Sequence, residues 1–232
     1  LPANYEGFFL QDSDPATKTE TNSDLLIERG DKALARQSGI TLDSSWSPSF
    51  SFQGSGVRAA DDFFYKPYLV ARENTTVDMT SLGYWSLPFT LEEHPLDNHW
   101  MITYSVPLLC NGEIYGIVGA EVSTSYLSNN YLSLRELDRS QNAGYALAID
   151  QGDGSYRAII GKGALYEAVH QEDGLFTLWK TEVSNLLRVK DSQVGDQDVY
   201  AVVSGMKLYN RNVPYGNTDW VLCGFVSESS VF

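Results

Sequence analysis

HWMITYSVPLLCNGEIYGIVGAEVS, residues 99–123, is the stretch whose reading decides the fold class. In its first half Trp100, Ile102, Tyr104, Val106 and Leu108 alternate with Met101, Thr103, Ser105 and Pro107. That period of two predicts a strand with one strongly apolar face. Asn111-Gly112 follows, a pair suited to a two-residue hairpin turn whose central positions both need positive φ. Glu113 to Ser123 then reads as the return strand, so the segment is an antiparallel hairpin. Thr124 to Leu137 reads as helical, because Tyr126, Leu127, Tyr131, Leu132 and Leu134 form an apolar stripe near the 3.6 period. Antiparallel strands mixed with helices make the fold class α+β.

Downstream, a similar pattern returns. Gly144 to Asp150, the turn at residues 151–154 and Ser155 to Ile160 predict another hairpin. Helices are expected over Ala164 to His170 and Phe176 to Arg188. Val199 to Leu208 and Asp219 to Val226 read as a closing strand pair joined by YNRNVPYGN, residues 209–217. An echo links the halves: Tyr115-Gly-Ile-Val-Gly119 and Trp220-Val-Leu-Cys-Gly224 share an aromatic, three residues and a glycine. Together with the matching hairpins, it predicts two sheet-plus-helix units in tandem.

Upstream, the chain is less regular. Tyr5 to Gln11 has the content of a strand, Leu25 could open a helix capped by Ser23 or Asp24, and Asp31 to Gln37 favours helix. SSWSPSFSFQGSG, residues 44–56, is too rich in Ser, Pro and Gly to be regular. Asp61 to Arg72 starts like a capped helix, and Pro67 is expected to break or restart it.

The composition narrows the function. The 232 residues hold 16 Lys+Arg against 30 Asp+Glu, a formal net charge of −14, with 43% apolar and 12% aromatic residues. This is a folded composition that would repel a phosphate backbone, and nucleic-acid binding is excluded on that ground. No apolar run approaches the roughly 20 residues that cross a bilayer. The chain starts at Leu1 without an apolar leader, and is read as a piece of a longer protein. Cys110 and Cys223 sit in apolar runs of different halves and read as two small buried hydrophobes rather than a bridge.

The tests for an enzyme fail. Of the three histidines, His94 and His99 sit among Glu92, Glu93 and Asp97 in a segment that Pro95 keeps from being one helix face, so it reads as a polar loop and not a metal cluster. Gly161-Lys162-Gly163 lacks the earlier glycine and the Ser or Thr of a phosphate loop. Asp150 to Ser155 lacks the ligand spacing of a calcium loop. No catalytic residue, metal site or cofactor is expected.

Aromatic residues concentrate between Phe63 and Tyr104. Tyr65, Tyr68, Tyr84, Trp85 and Tyr104 carry polar handles that need partners when buried, and such a cluster beside a sheet suits a pocket for a small, partly polar ligand. Ser86 lies in the same segment. Glu121 is the acid of the return strand; periodicity allows it to face either this pocket or water. Six residues from the aromatic of the echo, the second half has Val226 instead, so only the first unit carries an acid there.

The runs Leu82 to Phe89, Ile102 to Leu108, Tyr115 to Ser123 and Asp219 to Val226 together resemble the double Cache family of extracellular sensor domains, most of all those fused to bacterial diguanylate cyclases. The resemblance spans the chain apart from most of a long N-terminal helix. It implies two tandem PAS-like modules with antiparallel sheets stacked along that mostly truncated helix. The membrane-distal module with the ligand pocket would be 1–137 and the membrane-proximal one 138–232. Family members that bind amino acids use an Arg, a Trp-Tyr pair, a further Tyr and a strand Asp. By position this chain offers Tyr65, Pro67-Tyr68 and Glu121 for the Arg, the Trp-Tyr pair and the Asp. Losing the Arg removes a bidentate carboxylate clamp, while the acid leaves room for an amine or another hydrogen-bond donor. The resulting expectation is an extracellular small-molecule sensor, membrane-tethered and homodimeric in the full-length receptor. The alternative is a surface carbohydrate-binding or adhesive module, which also favours Trp and Tyr platforms.

Overall fold

The computed structural model describes residues 9–12, 25–45, 59–90, 100–130, 142–170, 174–209, 214–216 and 219–231. The chain separates into two compact units, Leu1–Gly54 and Ser55–Phe232.

In the first unit β1 (Phe9–Asp12) runs antiparallel to β2 (Leu25–Gly30), which is joined through α1 (Lys32–Ser38) to β3 (Thr41–Ser45), parallel to β2. The Asp31 carboxylate accepts from the backbone N–H groups of Ala33 and Leu34, and Gly39 closes the helix at φ 69°. The segment opening at Leu25 is therefore a strand and not the expected helix. As the central strand it has backbone partners on both edges, and that outweighs its weak helix propensity. The strand expected over Tyr5 to Gln11 is seen from Phe9 onward, the rest lying outside the described residues.

The second unit opens with α2 (Ala59–Glu73), which runs unbroken through Pro67. The expected break does not occur. A helix-interior proline costs about 3 kcal/mol, but the Pro67 ring is fully buried and its packing offsets much of that cost. After a short 3₁₀ turn, β4 (Tyr84–Trp85), β5 (Met101–Cys110) and β6 (Glu113–Ser123) form an antiparallel sheet in that order. The predicted hairpin is present, with Asn111 at φ 52° and Gly112 at φ 80° in the turn. α3 (Thr124–Asn130) follows; residues 131–137 of the predicted helix lie outside the described residues.

The remaining strands are β7 (Ala143–Asp150), β8 (Ser155–Lys162), then α4 (Ala164–Val169), β9 (Leu175–Lys180), β10 (Leu187–Val194), β11 (Gln197–Gly205) and β12 (Trp220–Ser227). They close into an antiparallel barrel in the order β10-β11-β12-β7-β8-β9. The helix expected over Phe176 to Arg188 is instead β9, a turn and the start of β10. Phe176 and Leu178 alternate into the core, Asn185 takes φ 65°, and the Thr181 hydroxyl donates to the Leu186 carbonyl at 2.7 Å, closing the turn. The barrel core is filled by Leu165, Tyr166 and Val169 of α4 against Phe176, Val189, Val221 and Phe225. Gly161 is required there, because a Cβ would fall 2.3 Å from the Tyr166 ring. The expected module boundary at 137/138 lies outside the described residues.

Candidate functional site

Register assigns each sheet residue to a face. Tyr84 pairs with Ser105, Thr103 with Glu121, and Ser105 with Gly119, so these side chains share one face; Trp85 pairs with Tyr104 on the other. The first face is covered by α2: the Phe63 and Phe89 rings stack at 5.6 Å, and the Lys66 ammonium donates to the Tyr84 hydroxyl at 3.0 Å. The second face meets the outside of the barrel, where Ile102, Ile149 and Trp220 are buried together with Trp85, Leu127 and Leu208 packed around them.

A polar layer lies beneath α2. Asp62 and Lys66, one helical turn apart, form an ion pair at 3.0 Å, and the Lys66 charge also sits 5.0 Å from the centre of the Tyr84 ring. Burial works to lower the Lys66 pKa, but the bonds to Tyr84 and Asp62 override it and hold the ammonium above its ordinary value. Burial pushes the Tyr84 phenol up, against the pull of Lys66. Ser86 is fully buried; its N–H donates to the Thr103 carbonyl and its Oγ accepts from the Thr103 N–H, both at 2.9 Å. Beside it, the Thr103 and Ser105 hydroxyls are buried without a hydrogen-bond partner. Buried hydroxyls are ordinarily satisfied, so two bare ones on one strand face mark a place where partners are missing.

The expected site residues thus divide. Tyr84 and Ser86 lie in this layer. Tyr65 and Tyr68 are half-buried on α2 with rings 6.1 Å apart, on a stripe shared with Arg72 and distinct from that of Phe63, Pro67 and Ala71. Trp85 and Tyr104 contact each other at 4.9 Å on the opposite, barrel-facing side. Glu121 is on the Thr103 rung of the α2-facing side, and its residue is exposed on the outermost strand of the sheet.

Sequence reasoning missed Asp62, Lys66, Thr103 and Ser105, and also two tyrosines from the β11–β12 connection. The Tyr209 hydroxyl accepts from the Trp85 N–H at 2.7 Å and donates to the Trp85 carbonyl at 3.5 Å, so it acts as a side-chain rung on β4. Tyr215 donates to the Leu82 carbonyl at 2.9 Å and its ring lies 5.3 Å from that of Tyr84. Burial pushes the Tyr209 phenol up to about 12 and that of Tyr215 upward as well. The i, i+4 spacing of Asp62 and Lys66 was the available signal for the first pair; nothing local marks the tyrosines.

His94 and His99 fall outside the described residues. Among those described, no group of three or more His, Cys, Asp or Glu side chains is placed to hold a metal ion. Cys110 and Cys223 are free; Cys223 is buried as expected, whereas Cys110 is exposed beside the hairpin turn.

No protein-family model matches the chain, and no curated protein matches it. Several solved structures do. Among them are chemoreceptor ligand-binding domains. One is that of Pseudomonas fluorescens CtaA in complex with L-alanine, 16% identical over 77% of this chain and 65% of that one, with a TM-score of 0.38. Another is that of the Pseudomonas aeruginosa amino-acid chemoreceptor PctC in complex with GABA, 13% identical over 76% and 66%, with a TM-score of 0.40. A third is that of Campylobacter jejuni Tlp3 in complex with 4-methylisoleucine, 11% identical over 73% and 53%, with a TM-score of 0.37. The chain therefore spans about two-thirds or less of the length of these neighbours.

Proposed function

We propose that this chain is the small-molecule-sensing domain of a bacterial transmembrane receptor, displayed outside the cell, with its ligand held between α2 and the β4–β5–β6 sheet. The observation that carries the reading is the polar layer itself: two fully buried, unpartnered hydroxyls beside an ion pair and a phenol, at a helix–sheet interface that would otherwise be apolar. The barrel core is filled by α4 and the strands with largely apolar side chains, and although Ser192 of β10 also buries an unpartnered hydroxyl, it stands as a single group rather than a pair on one strand face. Tyr84, Ser86, Thr103 and Ser105 would touch the ligand, with Lys66 and Asp62 setting the charge beside them. Glu121 would lie at the open rim, whereas Tyr65 and Tyr68, on another stripe of α2, are left out of the proposed site.

In this reading residues 1–137 and 138–232 are two PAS-like modules of one receptor arm, rising on a helix from the membrane and pairing with a second copy. The receptor's output domain, a diguanylate cyclase in the family that the sequence resembles, would lie across the membrane. β4 would pass the signal, because Tyr84 looks toward the ligand while the Trp85 backbone is held by Tyr209 from the barrel. A carbohydrate-binding platform fits less well: Trp85 and Tyr104 face each other and Tyr84 is covered by Tyr215, so none of the three presents an open ring.

A thermal-shift screen of small metabolites against the purified domain tests this, since a bound ligand raises the apparent melting point by mass action. Hits should lose their effect in Tyr84→Phe and Thr103→Val. A screen without hits, or hits indifferent to both substitutions, would overturn the assignment.

A further inference from the structure

The chemistry of the bare hydroxyls narrows the ligand class, on the condition that the site lies under α2 as proposed above. We infer that the ligand presents to Thr103 and Ser105 an uncharged amide-type edge, one hydrogen-bond donor beside one acceptor. A carboxylate or an ammonium is disfavoured there.

Three features point this way. First, a hydroxyl both donates and accepts, so the pair offers no preference for one sign of charge. Second, the charges nearby are already matched. Asp62 and Lys66 neutralise each other at 3.0 Å, and a second Lys66 bond goes to Tyr84. Asp61, although buried, sits one position along the helix and so turns about 100° away from Asp62. Glu121 shares the Thr103 rung but lies exposed at the sheet edge. A ligand carboxylate would have to draw Lys66 from Asp62 and leave that buried acid without this partner. A ligand ammonium would be buried against a carboxylate that is already paired. Either would disturb the Asp62–Lys66 pair in a place where water does not reach the hydroxyls.

The third feature is spacing. Alternate residues of a strand lie roughly 6.6 Å apart. Twice a hydrogen-bond length is about 5.6 Å. At that spacing two adjacent polar atoms of a ligand can each reach one hydroxyl. The N–H and C=O of a primary amide, lactam or cyclic imide meet that requirement without charge. The Gly119 rung is close-packed beneath the two hydroxyls: a Cβ there would fall 2.8 Å from both the Ser105 Oγ and the Thr103 Cγ2.

The test uses matched probes that share a skeleton and differ in charge: propionamide, propionate and propylamine, and nicotinamide, nicotinate and 3-(aminomethyl)pyridine, each at millimolar concentration in thermal-shift and calorimetric titrations. The amides should raise the melting point and the ions should not. Thr103→Val and Ser105→Ala should each weaken amide binding about tenfold, while the unliganded variants melt no lower than the parent, since each removes a hydroxyl that bonds to nothing. Shifts from the carboxylates or amines with none from the amides would overturn the amide inference and leave a sensing site in place. Amide binding undiminished in both variants would also overturn it, by placing the seat elsewhere. If no probe and no screened metabolite shifts the melting point, the site assignment falls together with it.

Discussion

Replacing Lys66 by Met isolates the ion pair on which the site's electrostatics depend. The Asp62 side chain is 7% exposed and that of Lys66 35%, with 3.0 Å between Nζ and Oδ2. Removing one partner of a fully buried pair costs roughly 3–5 kcal/mol, because the survivor stays desolvated. Here the lysine is about a third exposed, so water screens the pair, and the expected loss is nearer 2 kcal/mol. The two halves are unequal. Asp62→Asn leaves an ammonium that can turn outward to water, and should cost about 1 kcal/mol or less. Lys66→Met takes the lysine partner from a carboxylate that has no such exit, and also takes the donor from Tyr84. In the double variant the buried acid is gone, so about 1 kcal/mol or more of the single-variant loss should return. Urea unfolding followed by tryptophan fluorescence reads all four corners of the cycle. Equal losses in the two single variants, or losses that simply add, would refute the pairing as an energetic unit.

Three further outcomes follow from named groups. Lys66 and Tyr84 titrate above their ordinary values of 10.5 and 10.0, and Tyr209 and Cys223 both near about 12 against 10.0 and 9.0. A folded pKa raised above the unfolded one gives stability that is complete below the unfolded value and lost as pH rises through the folded value. Melting points should therefore hold to about pH 9 and fall through pH 12; a flat profile across that window would contradict the burial of these groups. Gly163→Ala should cost at least about 1–3 kcal/mol, since Gly163 has φ 96° and a Cβ there would lie 2.7 Å from the Ala143 carbonyl oxygen. Far-ultraviolet melts that leave the variant equal to the parent would refute that geometry. A thiol reagent should modify Cys110 at once and Cys223 only on unfolding; simultaneous reaction of both in the native protein would refute the buried position of Cys223.

What could be read in the sequence was whatever local rules decide. The Asn111-Gly112 turn, the alternation of β5 and the short helix that follows Asp31 are properties of a few adjacent residues, and all three appear as expected. The failures lie where tertiary packing overrides propensity. Leu25–Gly30 is a strand because it is flanked on both edges, and Pro67 stays inside α2 because its ring is buried. The echo between Tyr115 and Trp220 holds as a strand pattern but not as an environment. Tyr115 is 69% exposed on an edge strand, whereas Trp220 is 4% exposed on a strand paired on both sides. In the site, the aromatic density did point to Tyr84, but it gave Trp85 and Tyr104 the same weight although strand alternation turns them to the opposite face. Thr103 and Ser105 form the less apolar half of the alternation of β5, and a period of two does not say what covers that half; α2 does.

That covering helix also sets what a signal would require. Each buried hydroxyl without a partner costs about 1–3 kcal/mol relative to a satisfied one, so closing α2 over Thr103 and Ser105 without a ligand is penalised by roughly 2–6 kcal/mol. Shifting a two-state population from 1:99 to 99:1 needs about 5.5 kcal/mol of differential binding. A ligand that satisfies both hydroxyls only when α2 is closed would therefore supply much of that difference from the hydroxyls alone, without a new ion pair. The energy is confined to the closed state, because in an open state water would satisfy the same groups. Preference for one state, rather than tightness of binding as such, is what moves an equilibrium. With Tyr84 touching that layer and the Trp85 backbone bonded to Tyr209, a change in the position of α2 would be carried to the barrel across a strand of two residues.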